Sequence, residues 1–247
     1  MALRSKKKRP KREDKTLKEK KKIESRVFDL STMMTISNLI RKKVIKSLDY
    51  PMATGKEADV YRATTPEDTY LTIKIYRIET TYFFKMRDYI VGDSRFRRVR
   101  HIPRELIYAW VQKEFRNLNI CEEAGVPVPK AYLFDKNILV LEFLGENGVP
   151  DSTLHEIGTE NAERDCETIL SYIKKLYSKS LVHSDLSEFN ILMHENVPYV
   201  IDVGQSVLLD HPKAQEFLER DVRNVLSYFK RYGIEKDLNE VLNWVKS

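Results

Sequence analysis

Cysteine is scarce in this 247-residue chain: Cys121 and Cys166 are its only two, and neither stands in a Cys-x-x-Cys or Cys/His spacing. This argues against a disulfide framework or a structural zinc site and is typical of the reducing cytoplasm. Long apolar runs are also absent, since the longest aliphatic run is 138–141, whereas a membrane span needs about 20 residues. The basic N-terminus has no apolar stretch behind it, so we expect neither a secretory signal nor membrane association.

Positive charge is unevenly distributed along the chain, although the net charge is only +6. Residues 1–26 hold 13 Lys and Arg against 4 Asp and Glu, whereas the remainder holds 30 basic and 33 acidic side chains. A tail with so few apolar residues is predicted to be disordered. Such a tail is typical of contacts with nucleic acid phosphates, and a merely solubilising terminus is the alternative.

The rest of the chain has the composition of a globular protein, with 42% hydrophobic residues, and is long enough for a two-lobed domain. Hydrophobic periodicity predicts strands at 58–63 and 70–76, a helix from Pro103 to near Gly125, a hairpin over 132–143, and helices around 169–177, 213–232 and 236–246. This order predicts an α+β fold. We divide it into a helical segment 27–50, a β-rich lobe 51–144 with a flexible basic loop 85–104, and a mainly helical lobe 145–247.

The strongest motif is His-Ser-Asp-Leu-Ser-Glu-Phe-Asn at residues 183–190. His-x-Asp-Leu-x-x-x-Asn is the catalytic-loop pattern of the protein-kinase fold, in which Asp185 accepts a proton from the attacking hydroxyl and Asn190 holds a metal ion beside the phosphates. Asp202, in Ile-Asp-Val-Gly after a short strand, suits a second magnesium ligand. Each residue alone is common at turns and strand ends, but their order and spacing favour a phosphotransferase site.

Upstream residues are compatible with this interpretation. Lys74 lies in an alternating strand, as does the kinase lysine that contacts the α- and β-phosphates, although a strand lysine is often only a surface residue. Glu114 is its natural ion-pair partner, because the alternatives Glu105 and Glu122 lie nearer the ends of the predicted helix. The turn at 54–58 contains one glycine and Lys56 and could place backbone N–H groups near a phosphate, but a full G-x-G-x-x-G is missing.

Several segments together resemble the RIO family of atypical serine/threonine protein kinases, most closely its first subfamily in an archaeal-like short form. They are Thr-Gly-Lys-Glu-Ala at 54–58, Ile-Lys-Ile-Tyr-Arg at 73–77, Lys-Glu-Phe-Arg-Asn-Leu at 113–118, the 183–190 loop, Ile-Asp-Val-Gly-Gln-Ser at 201–206, and 218–224. The resemblance covers residues 50–247 and implies a two-lobed protein-kinase-like fold.

The resemblance also implies a function and a set of site residues. It implies an ATP- and Mg²⁺-dependent kinase (Mn²⁺ possible) that acts in maturation of the small ribosomal subunit. Its implied partners are the precursor particle and its RNA, bound by 1–26 and 85–104. The resemblance implies that Asp185 is the catalytic base and that Asn190 and Asp202 are metal ligands. It implies that Lys74 contacts the phosphates and pairs with Glu114, and that the hinge from Glu142 to Leu144 binds adenine through its backbone. It also implies ATPase activity in which the phosphoryl group passes to Asp202.

Three positions depart from the family pattern. Ala53 replaces the usual serine of the phosphate-binding turn, so one hydroxyl contact is lost. Ser184 replaces a common alanine or glycine before the catalytic aspartate. In the basic loop, Ser94 is the only serine available for the autophosphorylation that family members can undergo there.

Two other functions remain open. Small-molecule phosphotransferases of the aminoglycoside or choline type share the His-x-Asp-x-x-x-x-Asn pattern, but they usually carry an acidic insert, whereas the accessory segments here are basic. A non-catalytic, nucleotide-sensing ribosome assembly factor is the other alternative. An ordinary peptide-binding kinase is not expected, because only 45 residues follow Asp202 and they contain no Ala-Pro-Glu.

Overall fold

The computed structural model describes residues 28–78, 86, 89–90, 92–96 and 102–247. The basic tail 1–26 lies outside these residues. The described part has a β-rich lobe followed by a mainly helical one, which confirms the predicted α+β arrangement. None of the described helices is both long and apolar enough to cross a lipid bilayer.

The first lobe is built on an antiparallel five-stranded sheet in the order β1-β2-β3-β5-β4. Its strands are β1 (Ser47–Thr54), β2 (Ala58–Thr64), β3 (Tyr70–Tyr76), β4 (Ala131–Asp135) and β5 (Ile138–Glu142). Because side chains alternate along a strand, Ile73 and Ile75 enter one core, and Lys74 faces the opposite side of the sheet. Lys74 thus occupies the middle of the central strand, opposite Val60 and Leu139.

The segment predicted to be helical over 27–50 divides into a helix and a strand. Helix α1 (Leu30–Arg41) begins after Asp29, whose carboxylate accepts the Thr32 amide hydrogen at 2.8 Å. Strand β1 then starts at Ser47, so the helical prediction was too long. This strand lies at the sheet edge, none of its side chains is fully buried, and it is irregular around Pro51. It therefore lacks the alternating apolar pattern by which a strand is predicted.

Helix α2 (Pro103–Glu123) lies against the sheet and also contacts the turn at 203–205 of the second lobe. Pro103 occupies its first turn, and Gly125 follows its end with a positive φ of 67°, as the sequence predicts. The second lobe contains α3 (Leu154–Ile157), α4 (Ala162–Ser178), α5 (Ala214–Lys230) and α6 (Leu238–Lys246). Short strand pairs complete it: β6 (Gly145–Glu146) with β7 (Val149–Pro150), β8 (Leu181–Val182) with β11 (Val207–Leu208), and β9 (Ile191–His194) with β10 (Val197–Val200).

In the predicted loop 85–104, the described residues between 86 and 96 are buried or partly buried, whereas 102–104 are exposed. Met86, Ile90 and Phe96 are buried in the main core. The guanidinium of Arg95 forms a salt bridge with the buried Asp93 carboxylate, with an N···O distance of 2.6 Å. The charge of Arg95 is therefore neutralised within the protein, while the other arginines between 96 and 101 lie outside the described residues.

Candidate active site

A buried carboxylate on α5 holds the catalytic-loop motif in place. Asp221 is 1% exposed and accepts the backbone N–H groups of Ser184 at 2.7 Å and Leu186 at 2.9 Å. Ser184 itself is buried with a φ of 71°, a conformation that serine adopts at a cost. The two hydrogen bonds stabilise this strained turn and thereby orient the residue between them, Asp185.

Two polar side chains, those of Asn190 and Gln205, contact Asp185 in the cleft. The Asn190 amide donates to the Asp185 backbone oxygen at 2.8 Å, and Gln205 Nε2 donates to Asp185 Oδ2 at 3.2 Å. Burial, together with the negative charge of Asp202, raises the pKa of Asp185 above its ordinary value. A carboxylate with a raised pKa is a stronger base, which suits proton abstraction.

Lys74, Glu114 and Asp202 form the second half of the site. Lys74 Nζ lies 2.7 Å from Glu114 Oε1 and 2.9 Å from Asp202 Oδ1. The Tyr76 hydroxyl also donates to Glu114. The ion pair between Lys74 and Glu114 that the sequence predicts is therefore present, and Lys74 joins the two lobes.

The charges at this cluster are set by their neighbours. The ammonium group of Lys74 lowers the pKa of Asp202, so this carboxylate is ionised. Burial acts to lower the pKa of Lys74, but Asp202 and Glu114 outweigh it and raise that pKa. Glu57, in the turn at 54–58, has its pKa raised to about 7, first by burial and then by the charge of Asp202. The cleft therefore contains a positively charged Lys74 and two carboxyl groups of different pKa, that of Asp202 lowered and that of Glu57 raised.

His183 acts inside the loop rather than at its surface. Its Nδ1 accepts the Asp185 amide hydrogen at 3.3 Å, and its Nε2 lies 3.3 Å from the Ile201 carbonyl oxygen. Burial lowers the pKa of His183 to about 4. The imidazole is therefore neutral at physiological pH, and it links Ile201, the residue before Asp202, to the loop 183–190.

The other predicted contacts are placed as follows. Leu144 is buried and its carbonyl accepts the Asp151 amide hydrogen at 3.1 Å, while Glu142 Oε2 accepts the Lys130 amide hydrogen at 3.0 Å. Lys56 is exposed in the turn between β1 and β2, and Ala53 is exposed near the end of β1. The nucleotide contacts of Lys56 and of the segment from Glu142 to Leu144 stay predictions.

The oxygen donors near Asp202 fit a hard cation. Asp202 offers carboxylate oxygens, and Asn190 offers its amide oxygen because its nitrogen already donates to Asp185. The described residues contain no group of three or more His, Cys, Asp or Glu side chains suited to holding a metal ion. Mg²⁺ commonly takes one or two protein ligands, with phosphate oxygens and waters at its other positions. A two-residue donor set therefore fits Mg²⁺ that arrives with a nucleotide.

Sequence reasoning did not identify three buried polar residues that shape the site: Lys113, Asn117 and Asp221. Each lies on the buried face of a helix and is almost fully enclosed. A charged or amide side chain in a predicted apolar stripe is the signal that points to such residues, because burial of an unpaired polar group is costly.

Comparisons with known proteins place the chain among related kinases. Residues 59–241 match the RIO domain family model. The RIO-type serine/threonine-protein kinase Rio1 of Haloferax volcanii is 40% identical over 91% of this chain and 77% of its own length. The corresponding Thermoplasma acidophilum protein is 38% identical over 76% and 98%, respectively. The human serine/threonine-protein kinase RIO1 is 35% identical over 84% of this chain, which spans only 38% of the human protein.

A solved structure shows the same fold. It is the Rio2 kinase from Chaetomium thermophilum as an ADP/Mg²⁺-phosphoaspartate complex, with a TM-score of 0.66 and 19% identity. The match covers 86% of this chain and 65% of the Rio2 chain.

Proposed function

The chain belongs to the RIO domain family, whose matching relatives are serine/threonine-protein kinases, and from this premise we propose that it is an ATP- and Mg²⁺-dependent serine/threonine protein kinase and ATPase. One observation carries this proposal: Lys74 bridges Glu114 and Asp202, while Asn190 and Gln205 donate to Asp185 at the same cleft. These are the parts that phosphoryl transfer needs, a phosphate-binding cation, metal ligands and a base.

Each side chain takes one role in this proposal. Lys74 contacts the phosphates of ATP, and Glu114 orients its ammonium group. Asp202 and Asn190 hold Mg²⁺, which neutralises phosphate charge when bound, and Mn²⁺ is the natural substitute. Asp185 accepts the proton of the attacking hydroxyl or water. The backbone from Glu142 to Leu144 holds adenine, and Lys56 reaches the phosphates from the exposed turn.

Asp202 is also the proposed acceptor of the γ-phosphoryl group. A carboxylate oxygen of Asp202 attacks the γ-phosphorus of ATP and forms a new P–O bond. The bond between the γ-phosphorus and the β,γ-bridging oxygen breaks, and ADP is the leaving group. Water then hydrolyses the acyl phosphate, which releases phosphate and restores the carboxylate. The Asp202 side chain is 45% exposed and ionised, so it is accessible and nucleophilic. The phosphoaspartate named in the Rio2 complex supports the same chemistry.

The chemical lability of the label tests this step. After incubation with ATP labelled at the γ-phosphate, protein-bound label should be released by hydroxylamine, because acyl phosphates react with it and phosphoserine does not. Asp202→Asn should carry no hydroxylamine-sensitive label. Label that survives hydroxylamine and maps to serine or threonine would leave Asp202 as a metal ligand alone.

The proposed biological setting is maturation of the small ribosomal subunit, with the precursor particle and its RNA as partners. The resemblance to the RIO family supports this setting, and the basic tail 1–26 supports contact with RNA. A compartment without disulfide formation, the cytoplasm, fits the low cysteine content.

A further inference from the structure

One face of helix α2 contacts both halves of the candidate active site. Trp110, Lys113, Glu114 and Asn117 are spaced three or four residues apart or adjacent, so they share this face. Glu114 faces Lys74, whereas the other three contact the loop that follows Asp202.

Lys113 is completely buried and binds backbone oxygens rather than a carboxylate. Its Nζ donates to the Gly204 carbonyl oxygen at 2.7 Å and to the Ser206 carbonyl oxygen. Within the part of the chain that the structure describes, no carboxylate oxygen lies within 4.0 Å of this nitrogen. Burial of an ammonium group is costly, so a lysine here is a poor choice for mere packing.

Asn117 reinforces the same contact one helical turn further on. Its Nδ2 donates to the Val203 carbonyl oxygen at 2.8 Å and to the Ser206 carbonyl oxygen at 3.2 Å. Gly204 packs so closely on Trp110 that a Cβ atom at this position would lie 2.9 Å from the indole nitrogen. Helix α2 thus fixes three carbonyl groups of the turn 203–206.

These contacts close a ring around the site. Glu114 on α2 pairs with Lys74, and Lys74 pairs with Asp202. The residues directly after Asp202 are hydrogen-bonded to the same helix, because Lys113 and Asn117 donate to their carbonyl oxygens. Asp202 has the left-handed conformation, with φ 59° and ψ 55°, which a non-glycine residue keeps only when its surroundings hold it.

We infer that Lys113 and Asn117 are positioning residues that hold the Asp202 carboxylate in its metal-binding orientation before nucleotide arrives. This inference rests on the proposed function. Protein kinases generally use the position of the corresponding helix and metal-binding loop as a switch. In this chain both elements are joined by buried hydrogen bonds, so the site is assembled without such a switch.

Nucleotide binding with and without magnesium tests the inference. Lys113→Met and Asn117→Leu keep similar volume but remove the donors to the loop. Lys175→Met is the matched control, because Lys175 also donates to a backbone oxygen, that of Gly125, at 3.0 Å, but on the protein surface. ADP affinity is measured by titration calorimetry in EDTA and over a range of Mg²⁺ concentrations, after thermal unfolding has verified that each variant is folded.

In both variants, half-maximal enhancement of ADP binding should require about 10- to 100-fold more Mg²⁺ than in the wild type. This is the usual effect of removing a residue that orients a metal ligand. ADP affinity in EDTA and the behaviour of Lys175→Met should match the wild type. An unchanged Mg²⁺ dependence in a folded variant overturns the inference. If Asp202→Asn also leaves that dependence unchanged, the proposed metal site fails instead.

Hydrogen exchange provides a readout that needs no substitution. The Ser206 amide donates to the Val203 carbonyl oxygen at 3.1 Å within the fixed turn. In nucleotide-free wild type, this amide should exchange as slowly as the core amides of α2. Fast exchange at Ser206 beside slow exchange in α2 would contradict a preassembled loop, even if Lys113→Met does not fold.

Discussion

Single side chains at this site are specified by very local hydrogen bonds. Because the Asp185 amide donates to Nδ1 of His183, that nitrogen must be unprotonated, and Nε2 carries the hydrogen that faces the Ile201 carbonyl. Protonation of Nδ1 would break the bond to Asp185 and place a charge in a site that is 2% exposed. The neutral form of His183 is therefore part of the folded structure of the catalytic loop.

This predicts a pH dependence of stability. The pKa of His183 is lowered to about 4 in the folded state from an ordinary value of about 6.5, so between these pH values the unfolded chain binds the proton and the folded protein does not. The stabilising contribution is complete above about pH 6.5 and decreases as pH falls, by about 1.4 kcal/mol per pH unit. Asp221 acts in the opposite direction, because burial raises its pKa to about 7.

The contribution of His183 is isolated by comparison with His183→Gln in urea denaturation from about pH 7 to pH 5. The free energy of unfolding of the wild type should lose its advantage over the variant as the pH falls. Exposed His155→Gln serves as the control and should follow the wild-type curve. Parallel curves for His183→Gln and the wild type would show that His183 does not titrate in this way.

At the scale of secondary structure elements, helices position the loops that carry the chemistry. Helix α5 provides Asp221, which binds two amides of the catalytic loop, and Asn224, which donates to the Leu186 carbonyl oxygen at 3.1 Å. The strained φ of Ser184 is maintained by these contacts. A change in α5 should therefore alter catalysis although the helix supplies no proposed catalytic residue.

Asp221→Asn tests this connection. An amide can accept one of the two backbone N–H groups but must present its own NH₂ group to the other, which leaves a buried donor unpaired. We expect a loss of about 1–3 kcal/mol in the free energy of unfolding. We also expect a decrease in kcat with little change in KM for ATP, because Asp185 is displaced while Lys74 is not. Asp210→Asn, an exposed substitution, is the control, and equal kinetics of both variants would refute the coupling.

At the scale of the whole molecule, the basic tail 1–26 carries the net positive charge, and the remaining residues carry slightly more acidic than basic side chains. The excess of positive charge lies in residues 1–26, and many basic side chains among the described residues form salt bridges. Arg95 pairs with Asp93, and Arg104 lies 3.3 Å from Asp29. The tail is therefore the principal candidate for electrostatic contact with RNA.

Deletion of residues 1–26 should weaken binding to small-subunit ribosomal RNA and flatten its salt dependence. In single-stranded regions each lost phosphate contact reduces the slope of log K against log salt by about 0.7. Basal ATPase activity should not change, because the proposed site residues lie outside the tail. A full-length variant with the tail Lys and Arg residues replaced by Ser separates charge from length. If the slope is unchanged in the deletion and in the Ser-substituted variant, the tail does not contact RNA and is only a solubilising segment.

Local sequence was sufficient for the features that depend on neighbouring residues. The alternation around Lys74 predicted β3 with its observed bounds, and Pro103 and Gly125 predicted the extent of α2. The spacing from His183 to Asn190 pointed to a loop in which Asn190 and Asp185 lie together, as the structure shows. Periodicity, turn residues and motif spacing are short-range properties that are written directly in the chain.

Tertiary structure decided the features that depend on residues far apart in the chain. The sequence assigned no role to Lys113, and only the fold brings its ammonium group to the Gly204 and Ser206 carbonyl oxygens. Asp221 likewise joins the site only because α5 packs under the loop 183–190. Strand β1, which the sequence pattern did not predict, is likewise defined by its hydrogen-bonded pairing with β2. In each case the deciding partner is set by packing and burial, which a local pattern does not contain.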